Sequence, residues 1–301
     1  MPEADYRCGF VAVVGRPNVG KSTLVNALVG RKVSIVTSRP QTTRQRVVGV
    51  ATGPRAQLLF IDTPGMHRQE RKALNRMMNR SARASLADAD VVVLMVEAGR
   101  WTEEDEDVLE RARACGRPLV LLLNKVDRIH PREKLLPLLE QAAARGEFLA
   151  VVPVSAEKGD NLDRLRELLE AAVPAGPALF PAEQWSDREE RFHVAEIVRE
   201  KLMRRLRDEL PYGLAVEIER FEATTPGGRL EIGAVIWVER EAHKAIVIGK
   251  GGEMLKGAGQ AARLELKQRF GRPVHLELWV KVRERWTERE SDLKRLGYDG
   301  N

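Results

Sequence analysis

The segment GRPNVGKS at residues 15–22 follows the apolar run FVAVV at 10–14 and precedes the helical run TLVNALVG at 23–30. Its spacing is G-x-x-x-x-G-K-[ST], and a position between a strand and a helix is the context in which this pattern forms a phosphate-binding loop. The glycines let successive main-chain N–H groups point at phosphate oxygens, and the following helix N-terminus adds partial positive charge. The sequence therefore predicts a nucleotide-phosphate site.

Two side chains of this loop have distinct predicted roles. Lys21 reaches the terminal phosphates as a positive charge, and the Ser22 hydroxyl can ligate Mg²⁺. The residues predicted to surround the phosphates are Gly15, Arg16, Pro17, Asn18, Val19, Gly20, Lys21, Ser22 and Thr23.

A second phosphate-facing motif, LLFIDTPG at 58–65, is an apolar strand that ends in a carboxylate. Asp62 stands where a carboxylate holds Mg²⁺, directly or through water. Gly65 can bring a bare N–H against a terminal phosphate. Alone, D-T-P-G is also typical of a simple turn, but downstream of a phosphate loop it favours a nucleotide site that includes Asp62, Thr63, Pro64 and Gly65.

The motif NKVD at 124–127 specifies the base. The Asp127 carboxylate offers two acceptor oxygens, which complement the N1–H and the exocyclic amine of guanine, whereas adenine offers no such pair of donors. Asn124 can brace the loop, and the stem of Lys125 can cover the ring. The base is therefore expected to be guanine.

The motif VSA at 154–156 follows another predicted strand. Beside Ser155, the Ala156 amide can point at the guanine carbonyl. NKVD and VSA are weak signals singly, but in this order and spacing they predict GTP or GDP, with Mg²⁺, as the ligand.

The first 175 residues alternate short apolar runs with amphipathic helical stretches, the pattern of an α/β domain whose mostly parallel sheet is covered by helices on both faces. The run VPAGPALFPAEQWSD at 173–187 contains three prolines and little helical periodicity, which predicts a linker. The expected domains are 1–175, a linker at 176–187, and 188–301. The predicted strands lie near 10–14, 46–52, 57–61, 91–96, 119–123 and 150–154.

The second domain has a different, α+β order of elements. GKGG at 249–252 separates two of its helices, and residues 244–272 hold seven lysines and arginines against two glutamates. The order resembles a KH domain in its helix-first, type II form, which carries a G-x-x-G loop. The predicted elements are helix 188–210, strands 214–223 and 230–240, helices 242–248 and 253–270, strand 274–286 and a final charged helix.

The glycines of this second loop leave room for a nucleic-acid backbone, and an apolar groove beside it is expected to hold about four unstacked bases. Surrounding cations add sequence-independent attraction. The alternative is a plain helix–helix turn in a module that binds a protein partner. The residues predicted to contact RNA are Gly249, Lys250, Gly251, Gly252, Lys244, Lys256, Arg263 and Lys267.

Composition excludes several classes of protein. Cys8 and Cys115 lack CxxC spacing, so neither a disulfide framework nor a zinc site is indicated, which suits a reducing cytosol. The apolar runs at 91–96 and 118–123 are too short to span a bilayer, and no signal peptide is recognised. The net charge of +6 favours anionic partners.

The motifs GRPNVGKS, DTPG, NKVD, VSA and GKGG, in this order, resemble the Era family of translation-factor-class GTPases with a C-terminal KH domain, over essentially the whole chain. The resemblance implies GTP hydrolysis, binding of the 3′ end of 16S rRNA, and a role in assembly of the small (30S) ribosomal subunit. It implies a cytoplasmic location with some association with the inner membrane face. That contact is expected to be peripheral, because no lipidation motif or apolar anchor is recognised. No obligate protein partner is indicated.

The resemblance also places the first switch at SRPQTTRQR, residues 38–46. It implies a magnesium-binding threonine there, for which Thr43 is the better match and the adjacent Thr42 stays open. The implied metal ligands are Ser22, Thr43 and Asp62.

Hydrolysis is expected to be slow. In the Ras-like pattern a glutamine that follows the D-x-x-G turn orients the attacking water, and here that position holds Met66. His67 is given little weight as a substitute. By resemblance, Asn18 can bind K⁺ near the phosphates in place of an arginine finger; the alternative is a loop-capping side chain. The expected catalytic residues are Lys21, Thr43, Gly65 and Asn18.

Two charged segments are expected to be structural. In TEEDED at 102–107, Thr102 is predicted to cap a helix whose first-turn acids complement the helix dipole. The basic run REKLMRRLR at 199–207 is predicted to be mostly the solvated face of an amphipathic helix.

Overall fold

The computed structural model describes residues 6–39, 42–64, 73–206, 210–225 and 227–298. The first domain contains the strands β1 (Arg7–Val14), β2 (Val47–Thr52), β3 (Ala56–Asp62), β4 (Val91–Glu97), β5 (Leu119–Asn124) and β6 (Ala150–Pro153), which confirms the six predicted strands. They form one sheet in the order β2-β3-β1-β4-β5-β6. Its pairs are parallel except β2 with β3, because residues 53–55 are too few for a crossover connection.

Helices cover both faces of this sheet, as predicted. Side chains alternate along each strand, so neighbouring residues of β1 face opposite layers. Val11 packs in one core with Leu24, while Ala12 packs in the other with Leu109. The helices of this domain are α1 (Lys21–Val29), α2 (Ala73–Ala87), α3 (Glu103–Ala114), α4 (Leu135–Ala143) and α5 (Leu162–Ala172).

The predicted linker lies along the first domain. The Val50 N–H of the edge strand β2 donates to Trp185 O at 2.9 Å. The N–H groups of Leu179 and Phe180 donate to Gln57 Oε1 at 2.8 and 2.9 Å. The segment therefore covers an otherwise exposed sheet edge, an interaction that its prolines do not indicate.

The second domain consists of α6 (Glu190–Arg205), β7 (Ala215–Ala223), β8 (Leu230–Val238), α7 (Glu241–Ile248), α8 (Glu253–Phe270), β9 (Val274–Val282) and α9 (Glu290–Arg295). In its sheet, β8 lies between β7 and β9, antiparallel to the first and parallel to the second. Side chains of α6 and α8, such as Ile197 and Leu266, pack on one face of this sheet against Ile236. The helix-first KH order is confirmed.

The C-terminal segment joins the two domains. Trp286 and Tyr298 are buried against Leu74 and Met78 of α2, and Trp286 Nε1 donates to Gly213 O at 3.1 Å. Across the described ranges, the helices are all too short or too polar to cross a membrane.

Candidate nucleotide site and nucleic-acid interface

The phosphate loop joins β1 to α1, and its last glycine makes a close approach. Gly20 has a φ of +110°, and a Cβ there would lie 2.4 Å from Asn124 Nδ2. A side chain would strain the backbone and collide with Asn124, so the position requires glycine. The same Nδ2 donates to Val19 O at 2.7 Å. The NKVD loop therefore braces the phosphate loop.

Lys21 is buried inside the phosphate loop. Its Nζ donates to Gly15 O at 2.8 Å and to Arg16 O at 2.9 Å. Burial lowers the pKa of Lys21 to about 8, because the ammonium loses its hydration. Among the described residues Lys21 forms no ion pair, and a phosphate group in the loop would supply one.

A cavity of about 390 Å³ opens at the loop, which is a size suited to a small-molecule ligand. Val19 is fully buried behind it. The predicted site residues that line this cavity are Pro17, Asn18, Gly20, Lys21, Ser22, Thr23, Thr43, Thr63 and Lys125.

Three oxygen-bearing side chains meet at the start of α1. Ser22 Oγ lies 3.0 Å from Thr43 Oγ1 and donates to Asp62 Oδ2 at 2.9 Å, and Thr43 Oγ1 donates to the same Oδ2 at 3.2 Å. Burial raises the pKa of Asp62, and its Oδ1 has no hydrogen-bond partner among the described residues. Mg²⁺ prefers oxygen ligands, so two hydroxyls beside a buried carboxylate that has one unpaired oxygen form a site that fits this ion.

The neighbouring Thr42 also lines the cavity, but its hydroxyl has other partners. Its Oγ1 donates to Arg39 O at 2.8 Å and lies 2.6 Å from Thr37 Oγ1. Of the two candidate threonines, the structure therefore places Thr43, and not Thr42, against Ser22 and Asp62.

The base-recognition motifs meet at the ends of β5 and β6. The Ala156 N–H, expected to face the guanine carbonyl, donates to Asn124 Oδ1 at 3.0 Å in this structure. Ser155 is fully buried, and its Oγ accepts the Lys158 N–H at 3.2 Å. Asp127 is half-buried, and its carboxylate pairs with none of the described residues. Both Asp127 oxygens are thus available to a base.

Arg16 belongs to the phosphate loop, but its side chain does not line the cavity. The guanidinium forms ion pairs with Glu97 and Asp105, both at 3.1 Å. Glu97 Oε2 also lies 3.0 Å from Lys125 Nζ. Glu97 therefore couples the phosphate loop to the NKVD loop. Sequence reasoning missed Glu97, although its position at the carboxyl end of β4 is where ligand-binding groups collect in such sheets.

Asp105 also belongs to the helix cap that the sequence predicts. The Thr102 N–H and hydroxyl donate to Asp105 Oδ2 at 2.9 and 2.8 Å. This capping box confirms the structural interpretation of the acidic run at 102–107.

Asn18 bridges the phosphate loop and the first switch. Its φ is +63°, and its Nδ2 donates to Ser38 O at 3.1 Å. On the opposite side, Thr63 Oγ1 donates to Val13 O at 3.0 Å and fixes the end of β3. Pro64 is the last described residue of that motif, and the predicted site residue Gly65, with Met66 and His67, lies outside the described residues.

The prediction of a solvated face for the run at 199–207 is wrong. Arg199, Glu200 and Lys201 are only 1, 0 and 8% exposed. The cause is tertiary packing, because α6 lies against the first switch, where Arg199 Nη2 donates to Thr42 O at 2.5 Å. Within the described part of the run, Arg204 and Arg205 are the exposed basic residues.

The GKGG loop lies between α7 and α8. Gly249, Gly251 and Gly252 have φ values of +75°, +61° and +79°, the left-handed region that favours glycine. A Cβ at Gly249 would lie 2.6 Å from Met254 Cβ, whereas Gly251 and Gly252 face open space. Lys250 is exposed. A phosphate can therefore approach this backbone closely.

The cations around this loop are available for a ligand. Arg269, from the same basic stretch, pairs instead with Glu190 at 3.0 Å and stacks over Trp185, so its role is structural. On the last turn of α7, Ile246 is 53% exposed and offers an apolar surface. The predicted cations that lack an ion pair with any described residue are Lys244, Lys250, Lys256, Arg263 and Lys267.

A strand–GxxxxGKS–helix site, with guanine-specific motifs and a helix-first KH module, defines a P-loop GTPase with a C-terminal nucleic-acid-binding domain. The sequence model described as "50S ribosome-binding GTPase" matches residues 10–125, and that of the KH domain matches residues 209–287. The chain is 52% identical to GTPase Era of Stenotrophomonas maltophilia strain R551-3 over 297 residues, which cover 99% of each chain. It is 54% identical to GTPase Era of Xanthomonas axonopodis pv. citri over 296 residues, 98% of each. The chain belongs to the Era family of GTPases.

Solved Era structures share the whole fold. The crystal structure of Era in complex with MgGDPNP and nucleotides 1506–1542 of 16S ribosomal RNA matches with a TM-score of 0.93 and 41% identity, covering 97% of this chain and 99% of that one. A variant of Aquifex aeolicus Era bound to GDP·AlF4⁻ matches with a TM-score of 0.92, the same identity and the same coverage.

Proposed function

We propose that the chain binds GTP and GDP with Mg²⁺ and hydrolyses GTP slowly. The observation that carries this proposal is the meeting of Ser22, Thr43 and Asp62 at the phosphate loop, with separations of 2.9 to 3.2 Å. These three residues would hold Mg²⁺, which neutralises charge on the phosphates when bound. Lys21 binds the terminal phosphates, and the Gly65 N–H is assigned to the γ-phosphate.

Calorimetric titration tests the nucleotide site. GDP should bind at least about 100-fold more tightly than ADP, because Asp127 would face unmatched groups on adenine. Equal affinities for the two nucleotides would contradict the proposed guanine specificity.

We assign K⁺ to Asn18 as a hydrolysis cofactor. Asn18 Nδ2 donates to Ser38 O, so its Oδ1 takes no part in that hydrogen bond, and a carbonyl oxygen of this kind can ligate K⁺. The ion would add positive charge near the phosphates in a chain whose residue after the D-x-x-G turn is Met66 and not the glutamine of the Ras-like pattern. GTP hydrolysis should be faster in KCl than in NaCl, and Asn18→Ala should remove the difference. Equal rates of the unmodified chain in the two salts would exclude this role.

The second domain is proposed to bind RNA. The accessible GKGG backbone, the unpaired cations and Ile246 supply phosphate contacts and an apolar surface for bases. An Era with 41% identity was solved with 16S ribosomal RNA nucleotides. We infer that this chain binds the 3′ end of 16S rRNA and acts in assembly of the 30S subunit. The location proposed for it is the cytoplasm, with only peripheral membrane contact.

Crosslinking in cells, followed by sequencing of the recovered RNA, tests this part. The unmodified chain should give a peak at the 3′ end of 16S rRNA, and Gly251→Asp with Gly252→Asp should abolish it. Gly271→Asp is the matched control, because Gly271 has the same φ as Gly251, +61°, and also faces open space. Scattered reads that both variants leave unchanged would favour a protein-binding module instead.

The domain division proposed is 1–175, a linker at 176–187 and 188–301. Because the linker covers the β2 edge through Trp185, a first domain that ends at residue 187 should be more stable to heat than one that ends at 175. Equal melting temperatures would show that the linker adds nothing to the first domain.

A further inference from the structure

Arg199 is a buried arginine of the second domain that reaches into the first. Its side chain is 1% exposed, its Nε and Nη2 donate to the Glu196 carboxylate at 2.6 and 2.5 Å, and its Nη1 lies 3.1 Å from Met203 Sδ. Nη2 also donates to Thr42 O at 2.5 Å. Burying a guanidinium is unfavourable unless it is paired. Glu196 supplies the charge, and the Thr42 carbonyl is the one partner of Arg199 in the first domain among the described residues.

The position of this carbonyl determines the position of Thr43. Thr42 C=O and Thr43 N–H belong to one planar peptide unit, so a hydrogen bond that holds the carbonyl also orients the next residue. The Thr43 hydroxyl is in turn within 3.2 Å of both Ser22 Oγ and Asp62 Oδ2. Arg199 is therefore linked to Thr43, and through it to Ser22 and Asp62, by the peptide unit between Thr42 and Thr43.

Hydrogen bonds on both sides of Thr42 and Thr43 also hold the first switch against the second domain. Before these residues, Arg39 Nε donates to Met203 O at 3.1 Å. After them, Arg44, which is 3% exposed, donates from Nη1 to Leu214 O at 2.7 Å. Arg46 O also accepts from Arg188 Nη2 at 2.8 Å, so four described residues of the first switch are hydrogen-bonded to the second domain. Of these contacts, that of Arg199 is the one to Thr42 itself.

We propose that Arg199 is a positioning residue of the GTPase site, through which the second domain sets Thr43 for Mg²⁺ bound with GTP. This inference rests on the proposed GTP binding. It adds to the nucleotide site a residue, Arg199, that belongs to the second domain. Because coupling between sites is reciprocal, Mg·GTP should strengthen the docking of α6 to the same extent that α6 strengthens the binding of Mg·GTP.

The test measures dissociation of a fluorescent GTP analogue as the Mg²⁺ concentration is varied. Arg199→Gln should raise the Mg²⁺ concentration for half-maximal retention about tenfold, as expected when a group that orients a metal ligand is lost. Retention of the GDP analogue should hardly change, because switch threonines are ordered by the γ-phosphate and its metal. Arg191→Gln, an exposed position on the same helix, is the matched control and should match the unmodified chain.

A double-variant comparison separates positioning from general damage. Arg199→Lys alone should raise the Mg²⁺ concentration that is needed for retention. Added to Thr43→Ala, the same substitution should cause no further change. The lysine variant also decides the matter if Arg199→Gln fails to fold. Unchanged Mg²⁺ dependence of folded Arg199 variants, or equal effects with and without Thr43, would overturn the inference. Failure of the unmodified chain to retain either nucleotide would instead overturn the proposed function.

Discussion

Lys32 Nζ lies 2.7 Å from Glu200 Oε2, and this ion pair joins the segment after α1 to helix α6 of the second domain. Glu200 is fully buried and also accepts from Lys201 Nζ at 2.8 Å and Arg204 Nη2 at 3.1 Å. Burial opposes its ionisation, but the hydrogen bonds from Lys201 and Lys32 hold the pKa of Glu200 below its usual value. One carboxylate therefore fixes three cations at the domain junction.

Replacing Glu200 with glutamine should lower the free energy of unfolding by about 2 kcal/mol, because Lys32 and Lys201 would then share Glu265 as their one remaining carboxylate partner among the described residues. Urea unfolding at neutral pH measures this change. Glu183→Gln, at an exposed linker position, should change stability by less than about 0.5 kcal/mol. Equal stability of the two variants would show that the junction does not depend on this charge.

Protonation of His193 should make stability depend on pH. His193 is buried between Trp185 and Phe192, with ring centroids 4.4 and 5.4 Å away. Burial, with the nearby charge of Arg269, lowers the pKa of His193 to about 3, against main-chain hydrogen bonds that favour its charged form. Between pH 6.5 and 3, the unfolded chain binds a proton that the folded chain does not, so stability falls as the pH falls through this window.

From pH 7 to pH 5, this effect of His193 should remove about 2 kcal/mol of stability. Urea unfolding at both pH values compares the unmodified chain with His193→Gln, which should lose correspondingly less. His275→Gln, whose side chain is 43% exposed, should behave like the unmodified chain. Identical losses in the unmodified chain and His193→Gln would mean that His193 does not carry the dependence.

Gly20→Ala should weaken GDP binding at least about tenfold, because its Cβ would displace Asn124 and strain a left-handed residue. Asn124 would then release Val19 O, and the phosphate loop would lose its brace. Calorimetric titration with GDP measures the loss. Gly176→Ala, in open space in the linker, should bind GDP normally. Normal binding by Gly20→Ala as well would show that the loop tolerates the side chain.

The elements that the sequence predicts well are those specified by contiguous residues. The six strands, the capping box at Thr102 and the GKGG loop each depend on short-range patterns, and the structure contains all of them. The interactions that it did not predict join remote segments. Helical periodicity predicts that Arg199 is solvated, but its guanidinium donates to Thr42 O. The phosphate-loop motif includes Arg16 but does not indicate that its side chain pairs with Glu97. Hydrophobic periodicity does not reveal a buried charged residue, because within its own segment such a residue resembles an ordinary surface residue.

Asp127→Asn should change the base preference from guanine to xanthine. The Asp127 carboxylate accepts two hydrogen bonds, whereas asparagine offers one acceptor and one donor edge. Guanine would then set its exocyclic amine against the asparagine amide, while xanthine carries a carbonyl at that position and accepts from it. GTP affinity should fall by about 100-fold or more, and XTP affinity should rise. Competition against a fluorescent GDP analogue measures both, with Asp163→Asn, at an exposed position of α5, as the control. Retained preference for GTP over XTP would mean that a group other than Asp127 reads the exocyclic amine of guanine.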